Sequence, residues 1–418
     1  MGKTMAEKIL SKKSGRDAYA GDIVLADVDF AMGQDGTTPL AIKSFNEMNG
    51  KEVWNGEKIA FVIDHSAPSP NEKISSLHKM MRDFAKKNRI SVYDIGSGIC
   101  HQVIVENGHV LPGSLVVGAD SHTCTYGALG AFSTGIGSTD MAAVFISGKL
   151  WFKVPETIKF TINGNLQAGV YSKDLILYLI GKMGSDGATY MALEFEGDTI
   201  SSLSMDARMT ICNMAVEMGA KTGMIKADEK TIEWLRKRTS KNFEVIDSDD
   251  DGSFNKVIEV NASDISPMIS CPHAVDNVRP VEDVEGIEIN QAFLGTCTNG
   301  RLEDLTIAAK ILKDKKIDEN VRMIVAPASR EVLIRGMETG IIQELIRAGA
   351  CLISPGCGPC VGTHLGIPSD GENVISTANR NFKGRMGNSN SFIYLASPAT
   401  VAISALHGEI RDPREEIK

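Results

Sequence analysis

Short apolar runs that end in a polar or cysteine-containing loop recur along this 418-residue chain. Four of these loops carry Asp64 and His65, Asp120 to His122, Cys297, and Cys357. The repetition of strand, loop and helix predicts parallel β-sheets that are covered by helices. In such sheets the functional groups lie at the carboxyl ends of the strands. The pattern therefore predicts an α/β protein whose loops meet in one shared crevice.

The length of the chain requires more than one hydrophobic core. A helix predicted over Met141–Phe152 is broken at Val154 and Pro155, and an apolar strand follows from Thr157. A polar segment after residue 261 has the character of a linker into a last α/β unit. We therefore expect three α/β domains, which comprise residues 1–154, 155–275 and 276–418.

Three local patterns complete the predicted organisation. Asp22–Phe30 alternates as one strand, and Asp206–Met218 is predicted as one helix with Ser204 as its amino-terminal cap. The acidic run Asp247–Asp251 is predicted to be a solvated loop.

The overall charge and the cysteine content limit the class of protein. A net charge of −9 at pH 7 argues against nucleic acid or an anionic membrane as the main partner. No apolar run approaches the roughly 20 residues that cross a bilayer, and the amino terminus lacks the apolar core of a secretory signal. The eight cysteines are therefore expected to be thiols or metal ligands, and the protein is expected in the cytoplasm.

Three cysteines stand in glycine-containing loops. Cys357 and Cys360 form a C-x-x-C pair, which by itself is compatible with a redox pair, half of a zinc site or two ligands of an iron–sulfur cluster. Cys297 supplies a third cysteine after an apolar run. Three thiolates on a four-iron cluster leave one iron open, and an open metal can polarise a hydroxyl or a carboxylate. The spacing of the cysteines alone does not exclude a zinc site or a redox pair. Cys351, the nearest alternative ligand, is predicted to lie in the core.

Three segments together resemble the aconitase superfamily: GTCTNG around Cys297, GCGPC around Cys357 and Cys360, and ANRNFKGR over residues 378–385. The resemblance extends from the first predicted helix to the last residues. More specifically, the chain resembles the large subunits of two-subunit archaeal and bacterial isomerases. The resemblance implies three α/β domains packed around a central cleft, without a swivel domain, and a 4Fe-4S cluster held by Cys297, Cys357 and Cys360 with one open iron.

Imidazole and carboxylate groups are predicted to form the acid machinery. A carboxylate beside an imidazole, as in Asp64-His65, can fix one tautomer and raise its basicity, which suits a proton donor for a leaving hydroxyl. The resemblance implies that the following residues line the cluster pocket and do this work: Asp64, His65, His101, Asp120 and His122. It further implies that Glu217, in NMAVEMGAKTG, is directed toward the open iron and belongs to the catalytic set.

A second group of residues is predicted to hold the substrate. Two arginines in a glycine-containing loop suit the capture of carboxylates, because the guanidinium fork matches their geometry. The resemblance implies substrate contacts for the following residues: Gln34, Ser121, Asn213, Asn379, Arg380 and Arg385. Asn379 is also expected to pack beside the cluster.

The resemblance implies a reaction that removes water from a hydroxy acid and returns it at the neighbouring carbon. Isopropylmalate, in leucine biosynthesis, is the first choice of substrate, and homocitrate or homoaconitate is the second. Citrate and methylmalate-type acids are further substrates that the sequence does not exclude.

The chain offers no convincing base for the α-proton. In the aconitase superfamily a serine on a swivelling domain is that base, whereas this chain ends soon after its third α/β unit. We therefore expect a small partner subunit that supplies the base and a specificity loop. The assembly would be a heterodimer or heterotetramer, and this chain would be inactive alone.

Two other classes of protein are less well supported. An RNA-binding iron sensor conflicts with the acidic charge, and a thiol–disulfide oxidoreductase would not need Cys297 or the two arginines. The chain also lacks a GxGxxG segment after a strand and a P-loop, so hydride and phosphoryl transfer find no support.

Overall fold

Four β-sheets surrounded by helices make up the computed structural model, which describes residues 2–417. The α-helices are α1 Met5–Ser14, α2 Thr38–Glu47, α3 Glu72–Asn88, α4 Cys100–Glu106, α5 Ser138–Ser147, α6 Ser172–Met183, α7 Asp198–Ser202, α8 Met205–Asn213, α9 Glu229–Arg236, α10 Thr296–Asn299, α11 Leu302–Leu312, α12 Arg330–Glu338, α13 Ile341–Ala348 and α14 Pro398–His407. Within the described residues, none of these helices combines the length and the apolar character that crossing a membrane would require.

The strands follow the same chain order. They are β1 Ile23–Asp27, β2 Phe30–Gln34, β3 Ile59–Val62, β4 Ser91–Tyr93, β5 Leu115–Gly118, β6 Phe132–Gly135, β7 Lys149–Lys153, β8 Thr157–Asn163, β9 Ala192–Glu196, β10 Thr222–Met224, β11 Lys256–Asn261, β12 Met268–Ser270, β13 Val278–Pro280, β14 Gln291–Leu294, β15 Arg322–Val325, β16 Cys351–Leu352, β17 Asn373–Ser376 and β18 Phe392–Ala396.

The first large sheet has the strand order β4-β3-β2-β5-β6, and all its strand pairs are parallel. Strands β2, β3 and β5 are buried along their whole length, as expected where helices cover both faces of a parallel sheet. Their carboxyl ends lead to Gln34, to Asp64 and His65, and to Asp120. The predicted shared edge of polar groups is therefore present in this sheet.

The other two large sheets are also built mainly from parallel strands. The second sheet, β10-β9-β8-β11, is parallel throughout. The third has the order β13-β12-β18-β17-β14-β15-β16, and its strands from β18 to β16 are parallel. The prediction of an α/β protein with parallel sheets is confirmed. The predicted domain boundaries stay predictions; β12 precedes residue 276 and already belongs to the third sheet.

Two predicted elements are wrong in extent. Asp22–Phe30 is not one strand, because β1 pairs with β7 in a separate antiparallel ribbon and the central strand β2 starts only at Phe30. The helix predicted over Met141–Phe152 ends at Ser147, where Gly148 takes a φ of +68°. The next residues alternate between exposed and buried positions and form β7.

The helix predicted over Asp206–Met218 is confirmed in its first part. The Ser204 side chain caps α8 by accepting from the Ala207 N–H at 3.0 Å. The α-helix ends at Asn213, and Met214–Met218 continues as a 3-10 helix. Asn213 and Glu217 therefore do not share one regular helix face.

The acidic run Asp247–Asp251 also contacts the amino-terminal segment. The Asp249 carboxylate accepts from the Lys3 N–H at 2.8 Å and pairs with Lys8 Nζ at 2.5 Å. Asp251 accepts from the Gly2 N–H at 3.1 Å. These contacts attach the amino-terminal segment to the connection before β11. The run is a half-exposed to exposed loop, as predicted, and it has these contacts in addition.

Candidate functional site

The three predicted ligand cysteines converge on one cavity. Cys297 lies in α10 directly after β14, and Cys360 lies in the 3-10 turn Gly358–Val361, with Cys357 immediately before it. All three are buried and line a cavity of about 170 Å³. Cys351 is exposed on β16, at the edge of the third sheet, so its predicted place in the core is wrong.

The backbone at Cys297 is held in an unfavourable conformation. Thr296 has a φ of +75°, a region that β-branched residues avoid. Such strain persists only where the surroundings determine it, and it clusters at functional sites. It marks this turn as a site whose geometry matters more than its local stability.

Nitrogen donors surround the cysteine sulfurs. Cys297 Sγ accepts from Asn213 Nδ2 at 3.2 Å and from Asn379 Nδ2 at 3.4 Å, and Cys360 Sγ accepts from Arg385 Nη2 at 3.3 Å. Burial raises the pKa of the Cys297 thiol to about 12, although the Asn213 hydrogen bond opposes the shift. A bound metal keeps such a thiol deprotonated. Two of the three buried sulfurs thus accept from amide or guanidinium donors, an arrangement that suits thiolate ligands of a metal.

Asp120 is the centre of the imidazole–carboxylate network. Its Oδ1 lies 2.9 Å from His101 Nε2, and its Oδ2 lies 3.4 Å from both His65 Nε2 and Gln34 Nε2. The His122 backbone N–H donates to Oδ1 at 2.8 Å. Burial opposes ionisation of Asp120, but the His101 charge and these hydrogen bonds hold its pKa well below the usual range. The carboxylate is thus an anion that orients the imidazoles.

Asp64 and His65 connect this network to the cysteines. His65 Nδ1 lies 2.9 Å from Asp64 Oδ1 and 3.8 Å from Cys357 Sγ. Burial disfavours the imidazolium, but the Cys357 and Asp64 charges raise the pKa of His65 well above its usual value. The ligand atoms of Asp64, His65 and Cys100 lie within 4.8 Å of one another, which is a spacing that a metal ion could bridge.

Glu217 links His122 to Arg380. Its Oε1 lies 2.9 Å from His122 Nε2 and accepts from Arg380 Nε at 2.8 Å. Burial raises the pKa of Glu217, but the His122 hydrogen bond and the Arg380 charge outweigh it and lower that pKa overall. Glu217 therefore orients a guanidinium at the cavity.

The structure brings most of the predicted residues to the cavity wall. Gln34, His65, His101, Asp120, Ser121, His122, Asn379, Arg380, Arg385 and the three cysteines line it. Asp64, Asn213 and Glu217 stand behind the wall and contact the residues that form it.

Asp35 is a positioning residue that the sequence interpretation missed. Its carboxylate accepts from the N–H groups of Asp64, His65 and Ser66 at 2.8–2.9 Å, and from His78 Nε2 at 3.1 Å. Burial opposes its ionisation, but His78 and the other donors lower the pKa of Asp35 below its usual value. Its position next to Gln34 in MGQDG was the available signal.

Asp35→Asn is expected to lower the free energy of unfolding at pH 7 by about 3 kcal/mol, because an amide N–H₂ would replace an anionic acceptor among buried donors. The folded-state pKa of Asp35 lies below the unfolded value of about 3.9, so the carboxylate stabilises the fold above that pH. The difference between variant and wild type should therefore shrink as the pH falls below about 4. Denaturant unfolding at several pH values measures it. Asp27→Asn, at an exposed position, is the control; an equal loss in both variants would contradict the assignment.

Two buried cations were also missed. Arg301 directly follows the GTCTNG segment, and Lys173 begins a helix of the middle region. Arg301 Nη2 donates to the Cys297 carbonyl at 2.6 Å, and Lys173 Nζ donates to the Ala378 carbonyl at 2.6 Å. Neither residue was predictable from sequence spacing. Lys173 contacts a segment more than 200 residues away, and both side chains donate to backbone carbonyls, which every residue carries.

Comparison with known proteins agrees with this geometry. The family model described as the aconitase family (aconitate hydratase) matches residues 7–286 and 279–408. The chain is 55% identical over 420 residues to the 3-isopropylmalate dehydratase large subunit 1 of Thermotoga maritima, with 100% of both chains covered. It is 52% identical over 415 residues to that of Methanopyrus kandleri, with 99% of each covered. A probable methanogen homoaconitase large subunit of Methanosarcina mazei is 55% identical over 393 residues, which cover 94% of this chain and 100% of the relative.

Proposed function

Because the chain belongs to the aconitase family, we propose that it is the large, cluster-bearing subunit of a hydro-lyase that interconverts 2-isopropylmalate and 3-isopropylmalate. The reaction is a dehydration followed by rehydration, and it belongs to leucine biosynthesis. The observation that carries the proposal is one cavity lined by three cysteines, an Asp120-centred imidazole network and two arginines.

The cysteine set fits a 4Fe-4S cluster. It offers three thiols where structural zinc sites take four ligands. Arg385 Nε is buried and has no hydrogen-bond partner in the described part of the chain, as expected of a donor beside an anionic group in the cavity. Cys297, Cys357 and Cys360 would hold the cluster. When bound, it supplies an open Lewis-acid iron to the substrate hydroxyl and carboxylate.

The imidazoles handle the proton of the leaving hydroxyl. His101 sits between Asp120 Oδ1 and the Tyr126 hydroxyl, which lies 3.3 Å from its Nδ1. His65 faces carboxylates through both ring nitrogens, Asp64 at Nδ1 and Asp120 at Nε2. The Cys357 and Asp64 charges raise the pKa of His65, and a protonated imidazole at this place is suited to donate a proton to the departing hydroxyl and to recover it on rehydration.

The arginines bind the substrate carboxylates. Glu217 engages only the Nε–H of Arg380, which leaves both Nη groups available among the described contacts. Arg385 has one Nη on Cys360 and an unpartnered Nε. A guanidinium with free N–H groups can hold a carboxylate in a bidentate fashion, which fixes the acid relative to the imidazoles.

A small partner subunit completes the proposed enzyme. The relatives carry the name large subunit, which supports such a partner. Removal of the α-proton needs a base, and the imidazoles described here are assigned to the proton of the hydroxyl, while the carboxylates hold them in place. We assign the base and the specificity loop to the small subunit, in a heterodimer or heterotetramer.

A homoaconitase large subunit is the second candidate. The Methanosarcina mazei relative with that name is as similar in identity, 55%, as the Thermotoga maritima dehydratase subunit. The residues described above would bind homocitrate equally well, because they contact the hydroxyl and the carboxylates that both acids have.

Anaerobic turnover tests the proposal. The iron-loaded chain is mixed with a small subunit, and formation of the unsaturated acid is followed with isopropylmalate, homocitrate and citrate in parallel. The mixture should turn over isopropylmalate, and the chain alone should not. Turnover of homocitrate only would establish the second candidate. No turnover of any acid by a fully iron-loaded mixture would contradict both.

A further inference from the structure

Two fully buried cations stand beside the cysteine cavity without a carboxylate partner. Lys173 has no exposed surface, and Arg301 is 1% exposed. Neither forms an ion pair within 4.0 Å with any residue of the described range 2–417. An isolated buried charge is costly unless another charge compensates it. These two cations therefore require a negative charge from another group near the cavity.

The direct partners of both cations are neutral. Lys173 Nζ donates to the carbonyls of Thr377 and Ala378, at 3.0 and 2.6 Å. Arg301 donates to the carbonyls of Cys297 and Thr298, at 2.6 and 2.7 Å. These carbonyls belong to the two backbone segments that carry Cys297 and lead into Asn379 and Arg380. The cations thus fix the segments on which the proposed centre depends.

The nearby carboxyl groups compensate the charges poorly. Burial raises the pKa of Asp174 to about 7, and burial also raises the pKa of Asp304 to about 7. Asp174 accepts from the N–H groups of Met268 and Tyr171 and not from Lys173. Burial lowers the pKa of Lys173 to about 7, while the Cys297 charge opposes that shift.

Arg208 shows how a buried cation is compensated elsewhere in this chain. It is as buried as Lys173, but its Nη1 donates to Asp228 Oδ1 at 2.8 Å and its Nη2 pairs with the other carboxylate oxygen. Burial raises the pKa of Asp228, but the Arg208 hydrogen bond and charge outweigh it and lower that pKa to about 2. Here the countercharge is part of the protein.

We propose that Lys173 and Arg301 are positioning residues whose buried positive charges are compensated by the anionic cysteine centre once its metal group is bound. The inference rests on the proposed cluster at Cys297, Cys357 and Cys360. In the cluster-free protein neither side chain has a counterion within the described residues, which disfavours the charged form of Lys173. In the loaded protein both charges would stabilise the thiolates and the segments before Asn379.

Lys173→Met and Lys173→Gln test the inference, since Met removes the charge and Gln removes it while keeping an N–H donor. Groups behind the ligands of a metal site typically change metal affinity by about 10- to 100-fold. Both variants should therefore lose iron to a chelator about 10- to 100-fold more readily than wild type. The reduction potential of the loaded centre should become more negative, because a nearby positive charge favours the reduced form.

Melting temperatures of the loaded and the cluster-free forms separate this role from ordinary packing. For the Lys173 variants the loss should be larger in the loaded form than in the cluster-free form. Arg208→Met is the matched control, and its loss should be the same in both forms. Equal losses for the Lys173 variants in both forms, with unchanged iron retention and potential, would overturn the inference alone. A wild-type chain that takes up no iron under anaerobic loading would overturn the proposed centre and the inference together.

Discussion

Replacement of Cys297, Cys357 or Cys360 by serine is expected to abolish iron binding and to reduce turnover at least about 1,000-fold, because a Lewis-acid metal supplies several kcal/mol of transition-state stabilisation. All three thiols line one cavity, and two of their sulfurs accept from amide or guanidinium donors. A serine hydroxyl does not replace a thiolate ligand. Iron and sulfide analysis after anaerobic loading, followed by turnover with the small subunit, measures both effects.

Cys351→Ser is the matched control for these variants. Cys351 lies only six positions before Cys357 but is exposed on the edge strand β16. Its replacement should leave iron content and turnover unchanged. If Cys297→Ser kept its activity while the Cys357 and Cys360 variants lost it, a thiol–disulfide pair would explain the chemistry better than a cluster.

Asp120→Asn should lower kcat by about 10²- to 10⁴-fold, the range that general acid–base groups contribute. One carboxylate orients His101 and His65 and accepts from the His122 backbone. An amide removes the anionic acceptor that both imidazoles contact, and its N–H₂ group would face donors. Because Asp120 is not a proposed ligand, the iron content should stay at the wild-type level.

The comparison of kcat with iron content decides what Asp120 does. Asp27→Asn, at an exposed position in β1, should change neither quantity. A loss of iron that parallels the loss of turnover in Asp120→Asn would show that the residue supports the metal centre instead of the proton network.

The sequence predicted the parts of the site that depend on local pattern. Strand ends are visible as apolar runs, so Asp64, His65 and Cys297 were placed correctly at the edges of parallel sheets. The resemblance added His101 and Arg380, which line the same cavity. Each of these residues has a reactive side chain and lies either at a strand end or in a motif of the family, so the sequence alone could identify it.

The missed residues depend on tertiary contacts. Asp35 holds a loop 29–31 residues away, and Lys173 reaches carbonyls more than 200 residues away. Sheet order decided the exposure of Cys351, because an apolar run on an edge strand is not a core strand. Gly148 ended a helix where the hydrophobic pattern continued into β7. Periodicity carries no information on any of these points.

Mössbauer spectroscopy of the chain loaded with isotopically enriched iron, in the presence of the small subunit, tests whether the three cysteines hold a cluster with one open iron. We expect a cluster in which one iron site differs from the others and changes its signal when 2-isopropylmalate is added. Arg380→Lys should weaken this response, because lysine lacks the bidentate fork. A spectrum with equivalent iron sites, or one that stays unchanged at a substrate concentration that supports turnover, would rule out an open iron that binds the substrate.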